Sequence, residues 1–133
     1  MLLPDYKFES DYAKVEYLPM YNVVYHTWRS EVHGEEYRKA FEYSRKLLMS
    51  NKGSAFILDL TNGFIDSPED LEWAFDIVLP DINTAGCSKM IFIVRPFDDG
   101  ENNNMLWIRK AEMYFRTFVA DSFDEGIGAL SQL

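Results

Sequence analysis

A single α/β domain built on one mixed β-sheet is the fold class this sequence predicts, and three observations carry it. Two apolar runs, "SAFILDL" (54–60) and "KMIFIV" (89–94), have the composition of central strands covered on both faces, with Asp59 the one interruption in the first. Stretches with the helical apolar period alternate with these runs, which implies parallel strands joined by helical crossovers. Ahead of them, "AKVEYL" (13–18) and "NVVYHTW" (22–28) flank Pro19-Met20-Tyr21, the pattern of an antiparallel hairpin. The expected order is β-β-α-β-α-β-α-β-α: about five strands, largely parallel after the hairpin, and about four helices. At 133 residues the chain is read as one domain, 1–133, long enough to bury a core without staples.

Each element has its own justification. Along the second hairpin strand, alternation puts Val24, His26 and Trp28 on one face and Val23, Tyr25 and Thr27 on the other. "EEYRKAFEYSRKLL" then presents Tyr37, Phe41, Ser44 and Leu48 as one helical stripe, with Ala40 and Leu47 beside it. Arg45, Lys46 and Asn51-Lys52-Gly53 suit its C-terminus, where cations and a left-handed residue are favoured. After the first buried strand, Ser67 and Pro68 read as an N-cap and a first-turn proline. Leu71, Phe75, Val78 and Ile82 continue that helix to Gly86, and Pro80 inside it should kink or break it. "RPFDDGENNN" (95–104) is turn-rich and reads as a loop. "MLWIRKAEMYF" follows as a helix amphipathic through Leu106, Ile108, Arg109 and Met113, and "FRTFVA" as the last strand. Asp121 or Ser122 caps a final helix that Gly126 and Gly128 weaken.

Composition excludes several function classes. Hydrophobic residues at 47% and aromatics at 16% rule out a disordered chain. A net charge of −9, with 13 basic residues scattered in pairs, argues against nucleic acid and against anionic membrane surfaces. One cysteine, Cys87, precludes an internal disulfide and a multi-cysteine metal site. The start "MLLPDYKFES" lacks the pattern of a signal peptide, and no apolar segment has bilayer length, so a cytoplasmic chain is expected.

The hairpin, the "EEYRKAFEYSRKLL" helix, the span "AFILDLTNGFIDSPEDLEWAFDIVLPDINTAGCSKMIFIV" and the ending "VADSFDEGIGAL" together resemble bacterial SpoIIAA-like proteins of the STAS superfamily, roughly from Tyr12 to Leu130. The resemblance implies a mixed sheet with helices and a role in docking on partner proteins. It also implies a phosphorylation switch in the relatives that act as anti-sigma factor antagonists; other proteins of related shape carry lipids. Those antagonists have an Asp-Ser-Ser-Gly corner where this chain has Asp66-Ser67-Pro68-Glu69, so Pro68 replaces the phosphoacceptor serine. Phosphorylation of Ser67 is disfavoured, because Asp66, Glu69, Asp70 and Glu72 crowd the same helix end. Like charges near 6 Å repel by roughly 1–3 kcal/mol each, against about 1 kcal/mol of help from the helix dipole. Ser67 is therefore read as a hydroxyl N-cap.

Catalytic and metal readings find little support in the residues. Asp59, Asp66, Glu69 and Asp70 offer oxygens for a hard cation, but "DLTNGF" lacks the EF-hand spacing, and hydrogen bonding to loop amides is the simpler role for Asp59. His26, between Val24 and Trp28, is expected to be a buried, hydrogen-bonded histidine, and His33 to be exposed or to help cap a helix. Nothing adjacent to Cys87 would activate it. No cofactor and no metal are expected. The aromatic load remains: Phe64, Trp73, Phe97 and Trp107 fall in or near the segments after the two buried strands, where α/β sheets tend to bind ligands.

The expectation from sequence is a non-enzymatic binding or regulatory module. Its site lies at the loop and helix start after the central strand: Asp59 and Ser67 shape it, Phe64, Trp73 and Phe97 supply contact area, and Arg95 lies alongside. The alternatives are a carrier of a small apolar or lipid-like ligand and an enzyme using Asp59 and His26. The partner is an unspecified protein, and homodimerisation through a sheet edge is left open.

Overall fold

The computed structural model of the protein describes residues 7–95 and 103–132. Among these, six strands form one sheet in the consecutive order β1 (Lys7–Glu9), β2 (Ala13–Leu18), β3 (Val23–Trp28), β4 (Ala55–Asp59), β5 (Lys89–Ile93) and β6 (Arg116–Ala120). The first two pairings are antiparallel and the remaining three parallel, the mixed α/β class expected from the sequence. One strand more is present than the sequence pattern suggested. The added strand is β1, whose three residues "KFE" are too few to show a period.

Helix α1 (Glu35–Ser50) joins β3 to β4. A continuous helical segment, 68–84, joins β4 to β5 and comprises α2 (Pro68–Trp73), a π-helical turn (Ala74–Val78) and α3 (Leu79–Thr84). Helix α4 (Asn104–Ala111) precedes β6, and α5 (Phe123–Leu130) follows it. Because β3 to β6 step across the sheet in one direction, right-handed crossovers place every connecting helix on the same face. That face carries the larger core, in which Val24, Phe56, Leu58, Met90 and Phe92 meet Phe41, Val78, Ile82 and Trp107. The other face is covered, among the described residues, by α5, over Ile57, Ile91 and Ile93. This order contains no reversal among the parallel strands, and hence no crevice of the kind that binds ligands at a topological switch point.

Pro80 does not stop the helical segment, which runs on to Thr84, but the α-helical course is interrupted ahead of it, where a π-helical turn separates α2 from α3. The π-helical turn ahead of it lets the Leu79 N–H reach the Ala74 carbonyl, a wider closure that absorbs the missing donor and the ring. Two expectations need correcting. The buried stripe of α4 is Asn104, Trp107 and Ala111, while Leu106 and Met113 are exposed; Trp107, read as a potential surface residue, is the anchor. Arg45 does not cap α1 but bonds Asp81 Oδ2 at 2.8 Å through Nε, and the last turn holds no cation.

The two glycines of α5 have opposite reasons. A Cβ on Gly126 would lie 2.9 Å from Ile91 Cγ2, whereas one on Gly128 would meet nothing within 4 Å. Gly126 is thus the close approach of α5 to the sheet. We expect Gly128→Ala to raise the unfolding free energy by about 0.5–1 kcal/mol and Gly126→Ala to lower it by about 1–3 kcal/mol, read by urea denaturation. Equal effects at the two sites would contradict this packing.

Candidate functional site

Strands β4 and β5 lie side by side, and the Leu60 N–H extends their pairing to the Ile93 carbonyl at 2.7 Å. The corner after β4 is then fixed by its own polar groups. Asp59 Oδ1 accepts from the Thr61 N–H at 3.0 Å and the Thr61 hydroxyl at 2.7 Å, closing a turn. Asp59 Oδ2 accepts from the Tyr25 hydroxyl at 2.9 Å. Burial, with the Asp59 charge adding to it, pushes the Tyr25 hydroxyl up to about 12. Asn62 donates to the Trp28 carbonyl at 3.3 Å and accepts from Arg95 Nη2 at 3.5 Å.

The next polar residue turns inward. Asp66 Oδ2 accepts from the Tyr37 hydroxyl at 2.5 Å and from Trp107 Nε1 at 3.4 Å, and the Asp66 N–H donates to Asn103 Oδ1 at 2.6 Å. Two separate segments, α1 and the start of α4, meet on this one residue. Burial raises the Asp66 carboxyl above its ordinary range, although both side-chain bonds oppose that shift. Burial and the facing Asp66 carboxylate likewise raise the Tyr37 hydroxyl. Ser67 is an N-cap, its Oγ accepting from the Asp70 N–H at 3.2 Å. Asp70 in turn accepts from the Gly34 N–H at 2.8 Å and from Arg38 Nε at 3.3 Å, fastening the start of α2 to that of α1.

The candidate contact residues separate. Phe64 folds over the core, 5.6 Å from the Trp28 ring and 5.7 Å from His33. Trp73 is half-buried, with the Arg38 guanidinium 5.3 Å from its ring. Trp107 is 2% exposed and stacks on Phe41 at 5.3 Å. Arg95 is exposed, and Phe97 lies outside the described residues. Asp59 points to the α5 face, since it pairs with Thr27, while Phe64 packs against Trp28 on the opposite one. The structure therefore places Ser67 and Trp73 at the two ends of α2 and leaves Asp59 apart from both.

The groups that an enzymatic reading would use are dispersed. His26 is fully buried on the face opposite Asp59, donating to or accepting from Ser44 Oγ at 2.8 Å through Nδ1. Cys87 is buried, and that burial pushes its thiol up to about 12. His33 contacts Glu31 at 2.9 Å. Among the described residues no cluster of His, Cys, Asp or Glu is arranged to hold a metal ion, and no helix is long and apolar enough to cross a membrane.

Sequence reading missed the groove between α1 and the 68–84 helix. It is lined by Arg38, Glu69, Glu72, Trp73, Asp76 and Ile77, and encloses about 360 Å3. Ile77, outside the Leu71–Ile82 stripe, is 50% exposed there. An apolar residue off the buried stripe was the available signal. No known protein family matches the chain, and no curated protein matches it either.

Proposed function

We propose that this chain is a non-enzymatic binding module of the SpoIIAA-like kind, acting by docking on a protein partner at the helix start that follows the central strand. The observation that carries the reading is the union of a rigid corner with a partly apolar groove. Asp66, Ser67 and Asp70 fix the start of α2 through bonds to α1, α4 and the backbone, and the same helix then offers Trp73 and Ile77. Pre-ordered aromatic and aliphatic contact area limits the entropy lost on association. Trp73 and Ile77 take the contact role, while Phe64 packs against Trp28 and Tyr37 instead.

A carrier of an apolar ligand is favoured less: the hollows found among the described residues lie on the outer side of α1 and of the 68–84 helix. The test is affinity capture from extract with the wild-type chain, Trp73→Ala, Ile77→Asp and Val119→Asp as parallel baits. The expected result is a partner held by the wild type and by Val119→Asp and lost from the other two, all four folded by circular dichroism. Identical capture by all four would overturn the assignment of this face.

A further inference from the structure

The binding reading above leaves the partner's chemistry open, and the groove itself supplies it. The hollow beside Trp73 adjoins a second of about 310 Å3, lined by Arg45, Asp76, Ile77, Pro80, Asp81 and Thr84, and the two share Asp76 and Ile77. Trp73, Ile77 and Pro80 give this trough its apolar surface. Its length, from residue 69 to residue 84, is roughly 22 Å, or about four helical turns.

Charge on the two rims is unequal. Arg38 and Arg45 line one side, and both are already engaged: Arg38 with Asp70 at 3.3 Å, Arg45 with Asp81 at 2.8 Å and Glu42 at 3.2 Å. Glu69, Glu72 and Asp76 line the other side, exposed and without an ion pair among the described residues. Uncompensated negative charge therefore borders an apolar strip. A second copy of this chain, itself carrying −9, would meet that rim with like charge.

We propose that the groove receives a cationic amphipathic helix from the partner protein. Its apolar stripe would lie on Trp73 and Ile77, and its Lys or Arg side chains would face Glu69, Glu72 and Asp76. Such a helix neutralises the rim and covers the exposed isoleucine in one contact, which neither an acidic nor a wholly polar segment does.

Two synthetic helices of about 18 residues test this, one patterned from Leu and Lys and the other identical with Glu in place of Lys. Trp73 is the half-buried tryptophan, whereas Trp28 and Trp107 are each 2% exposed, so protection from acrylamide quenching reports occupancy of the groove. The Leu/Lys helix is expected to bind and protect Trp73, and the Leu/Glu helix to do neither. The triple variant Glu69→Gln/Glu72→Gln/Asp76→Asn should weaken binding about tenfold or more, while Asp121→Asn/Asp124→Asn/Glu125→Gln, with the same charge change at α5, leaves it within about twofold. Ile77→Asp separates groove from bulk charge: it adds an acid, yet it should weaken binding. Equal weakening by the two triple variants, or tighter binding by Ile77→Asp, would overturn the proposal. Failure of the Leu/Lys helix to bind, with partner capture still lost in Trp73→Ala and Ile77→Asp, would reject the cationic helix and leave the docking face standing.

Discussion

Asp66→Ala is expected to lower the unfolding free energy by about 2–4 kcal/mol, a large loss for one polar side chain. Its carboxylate is the shared acceptor for the Tyr37 hydroxyl and the Trp107 indole, which are 0% and 2% exposed. Truncation strands both donors where water cannot reach them, and each unmet buried donor costs about 1–3 kcal/mol. Asp66→Asn retains an acceptor oxygen and should cost less than about 1 kcal/mol at neutral pH. The two variants also separate in their pH dependence. Burial raises the folded carboxyl above its ordinary value of 3.8, so over that window the folded state holds a proton that the unfolded state has released. The contribution of Asp66 is therefore fully present below 3.8 and declines as pH rises through the raised value. Asparagine does not titrate, so Asp66→Asn should gain on the wild type as pH rises across that range. Urea denaturation followed by tryptophan fluorescence at stepped pH measures both effects. If Asp66→Ala cost no more than Asp66→Asn, the junction of α1, α4 and the β4–α2 corner would not be what holds the start of α2.

That junction shows how far the sequence could be read. Residues whose role is set by local pattern were legible: β2 begins and ends as its alternation implied, Ser67 caps α2, and the stripe of Tyr37, Phe41, Ser44 and Leu48 is buried along α1. The fold class followed, because alternating apolar runs and helical periods leave few topologies. What escaped depends on distant partners. Tyr37 looked like plain core, yet its hydroxyl needs an acceptor 29 positions away, and nothing near it in sequence names Asp66. Trp107 falls after the second buried strand, where α/β sheets tend to bind ligands, and its place in the sequence does not say that it turns inward. Its burial is decided by Phe41 and Phe75, which stand across it. Asp59 and Phe64 are five residues apart, but the turn at Thr61 sends them to opposite faces of the sheet. The groove was hidden for a related reason: Ile77 belongs to the solvent side of its own helix, and only the position of α1 makes a trough beside it.

Acidification is expected to destabilise the fold steeply between pH 6.5 and about 3, and His26 is the group responsible. Its ring is fully buried between Trp28 at 4.5 Å and Phe41 at 4.7 Å, with Ser44 as the hydrogen-bond partner of Nδ1 and no partner for Nε2 among the described residues. Desolvation lowers its pKa from the ordinary 6.5 to about 3, since a charged ring there would lack both water and a counter-ion. The folded state stays neutral while the unfolded chain takes up a proton below 6.5, so stability is fully present above that pH and is lost as pH falls towards 3. At about 1.36 kcal/mol per pH unit the loss has a ceiling of about 5 kcal/mol, a large share of the stability of a small domain. Asp66 titrates with the opposite sign, which makes Asp66→Asn the background in which to isolate the histidine. There, His26→Leu/Ser44→Ala replaces the polar pair with apolar groups of similar size and should flatten the acid limb. A chemical shift of His26 that moved with an apparent pKa near 6.5 in the folded protein would show the ring to be hydrated. A double variant as acid-sensitive as its parent would place the proton uptake elsewhere.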